Sequence, residues 1–260
     1  MGALDERVVV VTGGNRGIGE AIAMAMGEAG AKVVVSARDR ASADLVVARL
    51  RERGANGMAV AADVTDETSV AKLAKAVVER FQRIDAVVAN AGIAGPTRPL
   101  HEITLGEWRE CLAMDLDSVF LTFRAFIPLM IRQGRGSLMA ISSMTGKRPL
   151  AGRTPYASAK MGVIGLCRSL AVELGPYGIR VNSVCPGAVN GPRVADVIRN
   201  QGVLHGMSEE SARREFTDAS ALKRLVEPSE VAAVCVYLAS DASSAITGED
   251  LNVSAGAVMY

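Results

Sequence analysis

Net charge is almost missing from this chain: 29 Lys and Arg against 28 Asp and Glu leave +1 over 260 residues. That balance gives no basis for a polyanion such as nucleic acid as the main partner and makes a small-molecule substrate the better default. Cysteine is sparse too, with Cys111, Cys167, Cys185 and Cys235 far apart and mostly inside apolar stretches. Neither metal-ligand spacing nor a disulfide framework results, and the four read as buried thiols in a reducing compartment. The two histidines, His101 and His205, are too isolated to support a metal. No apolar run approaches membrane-spanning length. Asp5, Glu6 and Arg7 come too early for a signal peptide, and position 6 lacks the Ser or Thr of a myristoylation site. The expectation is a cytoplasmic protein without metal or membrane contact. Internal repeats and low-complexity tracts are missing as well.

What is present is a regular alternation. Residues 8–11 are a β-branched run, 12–17 a glycine-rich turn, and 18–29 small and apolar residues at helical spacing ending at Gly30. The pattern continues with strands at 32–37, 58–61, 86–90, 137–142, 180–185 and 251–253. Helices intervene at 42–53, 70–81, 156–174 and after Ser229. Thr104 and Glu107 have capping-box spacing and open a long helix running past Leu116 toward Met130. Strands of near-continuous apolar character that alternate with helices need a parallel sheet covered on both faces. The predicted fold is therefore a single α/β domain over 1–260, a doubly wound Rossmann-type parallel sheet of about seven strands. With 49% apolar residues the chain can bury a core of that size. Only 190–227 breaks the rhythm: it is polar, holds two helix-like pieces, and reads as a mobile substrate lid.

Two clusters of residues carry chemistry. Thr12-Gly13-Gly14-Asn15-Arg16-Gly17-Ile18-Gly19 sits between the first strand and the first helix, where backbone N–H groups and the helix dipole favour a pyrophosphate. Tyr156 and Lys160 are four residues apart on a helix and so share a face. A phenol is a poor base at neutral pH, and a neighbouring ammonium group favours its ionised form.

The glycine spacing differs from the generic Gly-x-Gly-x-x-Gly and resembles the Thr-Gly-x-x-x-Gly-x-Gly of the short-chain dehydrogenase/reductase family. Further motifs agree in order: Asp63-Val64, Asn90-Ala91-Gly92, Ser143, Tyr156-Ala157-Ser158-Ala159-Lys160, and Pro186-Gly187 with Val189 beyond it. The resemblance spans essentially the whole chain. It implies an NAD(P)-dependent oxidoreductase that interconverts a secondary alcohol and a carbonyl. Tyr156 would move the proton, Ser143 hydrogen-bond the reacting oxygen, and Lys160 hold the nicotinamide ribose and tune Tyr156. It also implies that Gly13, Asn15, Arg16, Gly17, Ile18, Gly19, Asp63, Val64, Asn90, Ala91, Gly92, Pro186, Gly187 and Val189 contact the cofactor, with Asp63-Val64 at the adenine. Relatives are commonly homotetramers, and the apolar ending Val258-Met259-Tyr260 is compatible with burial at such a contact.

NADP is the preferred cofactor on charge grounds. Ala37 stands where a carboxylate would take the NAD ribose, while Arg38 and Arg16 can clamp a 2′-phosphate; Asp39 neutralises part of that field. The family's usual Asn in the helix after strand four is here Asp115. An ionised Asp cannot donate a hydrogen bond, so Asp115 either pairs with Lys160 or stays protonated, reshaping the proton relay, or it is a tolerated isostere. Gly191 replaces a frequent Thr, and Ser254-Ala255-Gly256 a frequent Asp-Gly-Gly. The substrate stays open among a 3-oxoacyl thioester, a sugar or polyol, a ring alcohol and a small anionic hydroxy compound. Arg148, Arg153, Arg193, Arg199, Arg213 and Arg214 are candidate anion contacts. A low-turnover dinucleotide sensor or scaffold is the competing class, favoured by Asp115 and the altered C-terminal motif.

Overall fold

The computed structural model describes residues 2–260. One seven-stranded parallel sheet runs in the order β3-β2-β1-β4-β5-β6-β7. The strands are β1 (Val8–Thr12), β2 (Lys32–Ala37), β3 (Gly57–Ala61), β4 (Ala86–Ala89), β5 (Gly136–Ile141), β6 (Ile179–Pro186) and β7 (Asp250–Val253). The chain works outward from β1 through β2 to β3, then crosses back to place β4 on the other side of β1. Such a reversal opens a crevice beyond the carboxyl ends of the strands, where open α/β sheets bind their ligands.

Successive side chains of a strand point to opposite faces, and β1 shows what this does for packing. Val9 and Val11 join Ile22, Met26, Leu50 and Leu238 on one side of the sheet. Val8 and Val10 join Leu73, Val77, Phe123 and Val163 on the other. Helices α1 (Gly17–Glu28), α2 (Arg40–Glu52) and α9 (Pro228–Ala239) therefore cover the first face. The second is covered by α3 (Glu67–Phe81), α5 (Ser118–Gln133) and α6 (Thr154–Leu174). With both faces buried, β1, β2, β4, β5 and β6 have almost no solvent side, which is why most of their sequences read as apolar runs, while the edge strands β3 and β7 are only partly covered.

Most predicted elements are observed with ends shifted by one to three residues, in line with how helix and strand termini fray. The long helix expected after Thr104 differs in a more informative way. Its capping box forms, with Thr104 Oγ1 accepting from the Glu107 N–H at 3.2 Å and Glu107 accepting from the Thr104 N–H at 2.9 Å. The helix α4 (Leu105–Leu112) then widens into a π turn over Ala113–Asp117 before α5 resumes. A π turn occurs mostly as a single turn inside an α-helix, too short to stand out from the helical pattern on either side of it. In the region between 190 and 227, α7 (Pro192–His205) and α8 (Glu209–Asp218) are longer than the two helical pieces expected. A bridge between Val189 and Val226 closes the base of this excursion.

All four cysteines are free and buried. Burial pushes the thiols of Cys111, Cys167 and Cys235 up to about 12 and raises that of Cys185 above its ordinary value. At pH 8 all four are consequently protonated, and the thiolate is the reactive form. The folded protein is expected to show no rapidly reacting thiol toward a disulfide reagent at pH 8, with four reacting after denaturation; a fast-reacting equivalent in the native state would contradict this.

Candidate active site

A cleft of about 720 Å³ lies over the carboxyl ends of the central strands. At one end is the loop between β1 and α1. Gly19 permits the tight turn, because a Cβ there would lie 2.2 Å from the Gly13 carbonyl oxygen. Gly17 has φ +56° and open space where a Cβ would project, so the backbone there is free to approach a ligand. The first turns of α2, α3, α4 and α8 are capped by the side chains of Asp39, Asp66, Thr104 and Ser208, whereas α1, which follows Arg16, has no side-chain cap, as is also the case for α6 and α7. The orphan N–H groups and positive dipole end of α1 therefore meet the cleft, lined here by Gly13, Asn15, Arg16, Gly17, Ile18 and Gly19. This cradle fits a dinucleotide pyrophosphate.

Thr12 and Asn90 hold the loop in place. The Thr12 hydroxyl accepts from the backbone N–H groups of Asn90 at 3.1 Å and Ala91 at 3.3 Å. The Asn90 amide donates to the carbonyls of Thr12 at 3.0 Å and Gly13 at 3.1 Å. The role of Thr12 is positional and was visible in the sequence only as the first letter of a motif. Asn15 reaches Ser42 at 3.1 Å.

Beyond β2, Ala37 and Arg38 border the same cleft as Arg16. Asp39 turns its carboxylate to the N-terminus of α2, accepting from the Ala41 and Ser42 N–H groups at 3.1 Å each. The Ser42 backbone bond holds it below the usual carboxylate range. Ala62 and Val64, on either side of Asp63, line the cleft. The Asp63 carboxylate accepts from the Thr65 hydroxyl at 2.7 Å and the Thr65 N–H at 2.9 Å, and those bonds, the hydroxyl first, lower its pKa. An Asp two residues before a Thr closes a local turn of this kind. Ala91, Gly92, Pro186, Gly187 and Val189 all border the cleft as expected.

At the other end stand Ser143, Tyr156 and Lys160. Ser143 follows β5, and its hydroxyl accepts from the Thr145 N–H at 3.1 Å. The Ser142 hydroxyl donates to the Lys160 carbonyl at 2.8 Å, tying α6 to the end of β5. The Lys160 ammonium lies 5.6 Å from the centre of the Tyr156 ring. It donates to the Ile141 carbonyl at 3.0 Å and stands 3.3 Å from Asp115 Oδ1.

Asp115 is completely buried and projects from the π turn. Its carboxylate accepts from the Ile93 N–H at 3.2 Å and from Cys111 Sγ at 3.6 Å. A Cβ on Gly92 would fall 2.4 Å from Asp115 Oδ1, so glycine at 92 is what lets the carboxylate approach. Of the arrangements open to Asp115 in the sequence, the geometry has the ion pair with Lys160.

The candidate anion contacts separate. Arg148 is exposed and reaches Ala257 O, while Arg199 and Arg214 pair with Asp196 and Glu210 on their own helices. Arg213 is exposed as well. Arg153 and Arg193 line the cleft. No cluster of metal-ligating side chains occurs among the described residues.

A family model described as Enoyl-(Acyl carrier protein) reductase matches residues 13–258. The chain belongs to the short-chain dehydrogenase/reductase family. It is similar to cis-4-hydroxycyclohexanecarboxylate dehydrogenase of Sinomonas cyclohexanicum, with 40% identity over 98% of this chain and 97% of the relative. Among solved structures it resembles a variant of actinorhodin polyketide ketoreductase with NADPH, at 34% identity and a TM-score of 0.94 over 100% of both chains. It also resembles NAD+-bound xylitol dehydrogenase, at 26% identity and a TM-score of 0.94 over 97% of this chain and 99% of the other. This short-chain dehydrogenase/reductase is an NAD(P)-dependent oxidoreductase that interconverts an alcohol and a carbonyl.

Within the family site, Asp115→Asn would keep an acceptor for the Ile93 N–H and remove the negative charge beside Lys160. The pH–rate profile for alcohol oxidation is therefore expected to differ between this variant and the wild type. An unmoved profile would make Asp115 a passive isostere.

Proposed function

We propose that this enzyme is an NADP-preferring carbonyl reductase and secondary-alcohol dehydrogenase acting on a compact, ring-sized substrate, with Tyr156 as the proton-transferring residue. The observation that carries the reading is the convergence in one cleft of the Lys160-flanked Tyr156, Ser143 and an uncapped helix N-terminus. A bound nicotinamide supplies the hydride for reduction or accepts it for oxidation.

The protein's own residues do the rest. The Ser143 hydroxyl donates a hydrogen bond to the substrate oxygen, orienting it toward the phenol. Tyr156 gives its proton to that oxygen during reduction and removes it during oxidation. Lys160, fixed by the Ile141 carbonyl and Asp115, stabilises the ionised phenol and holds the cofactor's ribose. The region 190–227 forms the outer wall through Val194, Val197 and Phe216 and acts as the substrate lid. The intact Ser143, Tyr156 and Lys160 favour turnover over a sensor or scaffold role.

The NADP preference rests on Arg16 in the glycine loop and Arg38 just after β2, on Ala37 in place of a carboxylate, and on Asp39 being taken up as a helix cap. The ring-sized substrate is favoured by the similarity to a dehydrogenase named for a hydroxycyclohexanecarboxylate. A homotetramer is favoured by exposed apolar side chains on the helices after β4 and β5, including Leu105, Phe120, Met161 and Val172, and by Met259 and Tyr260 at the C-terminus. Four free thiols fit a cytoplasmic setting.

Two measurements test this. Tyr156→Phe is expected to lower kcat by about 10²–10⁴-fold while NADPH still binds; retained turnover would remove Tyr156 from the proton step. NADPH is expected to bind more tightly than NADH, and Arg38→Ala to weaken NADPH by roughly tenfold or more; tighter binding of NADH would overturn the cofactor assignment.

A further inference from the structure

Arg153 is charged, almost fully enclosed and poorly compensated. Only 3% of it is exposed, and it lines the cleft, so what remains open faces the substrate end. Burial pushes its pKa down from the ordinary arginine value, yet a guanidinium stays protonated in proteins. Among the described residues no carboxylate lies within ion-pairing distance of it, and the nearby Asp115 is already committed to Lys160. Its protein hydrogen bond is from Nη1 to Thr97 Oγ1 at 3.3 Å, while the buried Nε has no partner at all.

Stacking on the Tyr156 ring, 4.6 Å from guanidinium carbon to ring centre, returns only part of what enclosing an unpaired ion costs. The deficit is what an anionic ligand would remove, by accepting from the part of the guanidinium that lines the cleft. Arg193 adds a second positive charge to the same cleft; it donates to the Gly92 carbonyl at 2.7 Å and likewise has no carboxylate partner among the described residues. Asp196, the acid on that wall, is paired with Arg199 at 2.9 Å. Around these cations the walls are apolar, with Met144, Leu150, Val194, Val197 and Phe216. The cofactor's phosphates belong to the opposite end, at the glycine loop, Arg16 and Arg38.

We propose that Arg153 is a specificity-determining residue that receives a carboxylate of the substrate, so that the alcohol or ketone turned over here is a compact organic acid. This rests on the reading that the substrate reacts beside Tyr156. Because the guanidinium stacks on the phenol ring, the carboxylate and the reacting carbon sit on one small molecule, and the apolar walls take the hydrocarbon between them.

The test uses the enzyme with NADPH and two matched pairs of probes. Binding of cyclohexanecarboxylate and cyclohexanecarboxamide, neither of which can react, is measured by calorimetry. Reduction of 4-oxocyclohexanecarboxylate and 4-oxocyclohexanecarboxamide gives kcat/KM. The acid is expected to be preferred over the amide by about 10–100-fold in both assays, the range for a hydrogen bond to a charged group. Arg153→Met is expected to collapse that ratio at least tenfold, with Arg153→Lys intermediate and NADPH binding reporting that both variants are folded. Absent binding of the acid, an acid-to-amide ratio near one in the wild type, or a loss in Arg153→Met that is equal for acid and amide, would overturn the proposal and leave Arg153 as a support for the Tyr156 ring. The two readings fail separately. Arginine-dependent binding of the acid without reduction of either ketone would sink the ring-sized substrate of the proposed function alone, whereas brisk reduction of the amide with no dependence on charge would sink the anion site alone.

Discussion

The buried ammonium of Lys160 is the constraint around which the active end of the cleft is organised. Only 4% of this residue is exposed, and a cation taken that far from water persists only where fixed partners replace its hydration. The Ile141 carbonyl, at the end of β5, is one partner and the Asp115 carboxylate is the other. Each has structural requirements of its own. Ile141 is in place because β5 lies in register between β4 and β6. Asp115 is in place because the helix widens at Ala113–Asp117 and because residue 92 has no side chain to obstruct it. Tyr156 sits one helical turn from the lysine, so whatever holds the cation also holds the phenol.

The rest of the cleft distributes positive charge in two places that never compete. At the outer end, Arg16 and Arg38 stand beside an uncapped helix terminus, where partial positive charges of the backbone add to those of the side chains. At the inner end, Arg153 and Arg193 face a mostly apolar wall. Acidic groups near both regions are occupied: Asp39 by the start of α2, Asp63 by Thr65, Asp196 by Arg199, Asp115 by Lys160. Arginines thus line both ends of the cleft although the chain as a whole is close to neutral, and a near-zero total says little about the charge at one site.

The architecture was legible because parallel strands buried on both faces leave unmistakable apolar runs, and because turn and cap residues such as Gly30 and the Thr104–Glu107 pair mark element ends directly. The glycine loop and Tyr156 with Lys160 were legible for a related reason: their chemistry depends on local spacing that the chain displays in order. What escaped depends on contacts between distant segments. The π turn escaped, and with it the approach of Asp115 to Ile93, whereas its pairing with Lys160 stood among the alternatives the sequence left open. The turn that Asp63 closes with Thr65 was not read from the sequence either. Arg153 stood among several arginines of equal apparent merit, and only burial separates it from Arg148, five residues earlier and on the surface.

The small bridge between Val189 and Val226 has a consequence beyond local geometry. Together with the bonds from the Asn190 N–H to the Val226 carbonyl at 2.7 Å and from the Val226 N–H to the Ala188 carbonyl at 2.9 Å, it brings the two ends of the α7–α8 excursion side by side. A loop whose ends are already fastened changes its closure entropy only slowly with length. Residues between those anchors can be added, removed or exchanged with little strain on the sheet or on the lysine, so this stretch behaves as a replaceable cassette. Divergence of substrate taste among descendants of such a scaffold can proceed there while the hydride-transfer apparatus stays as it is.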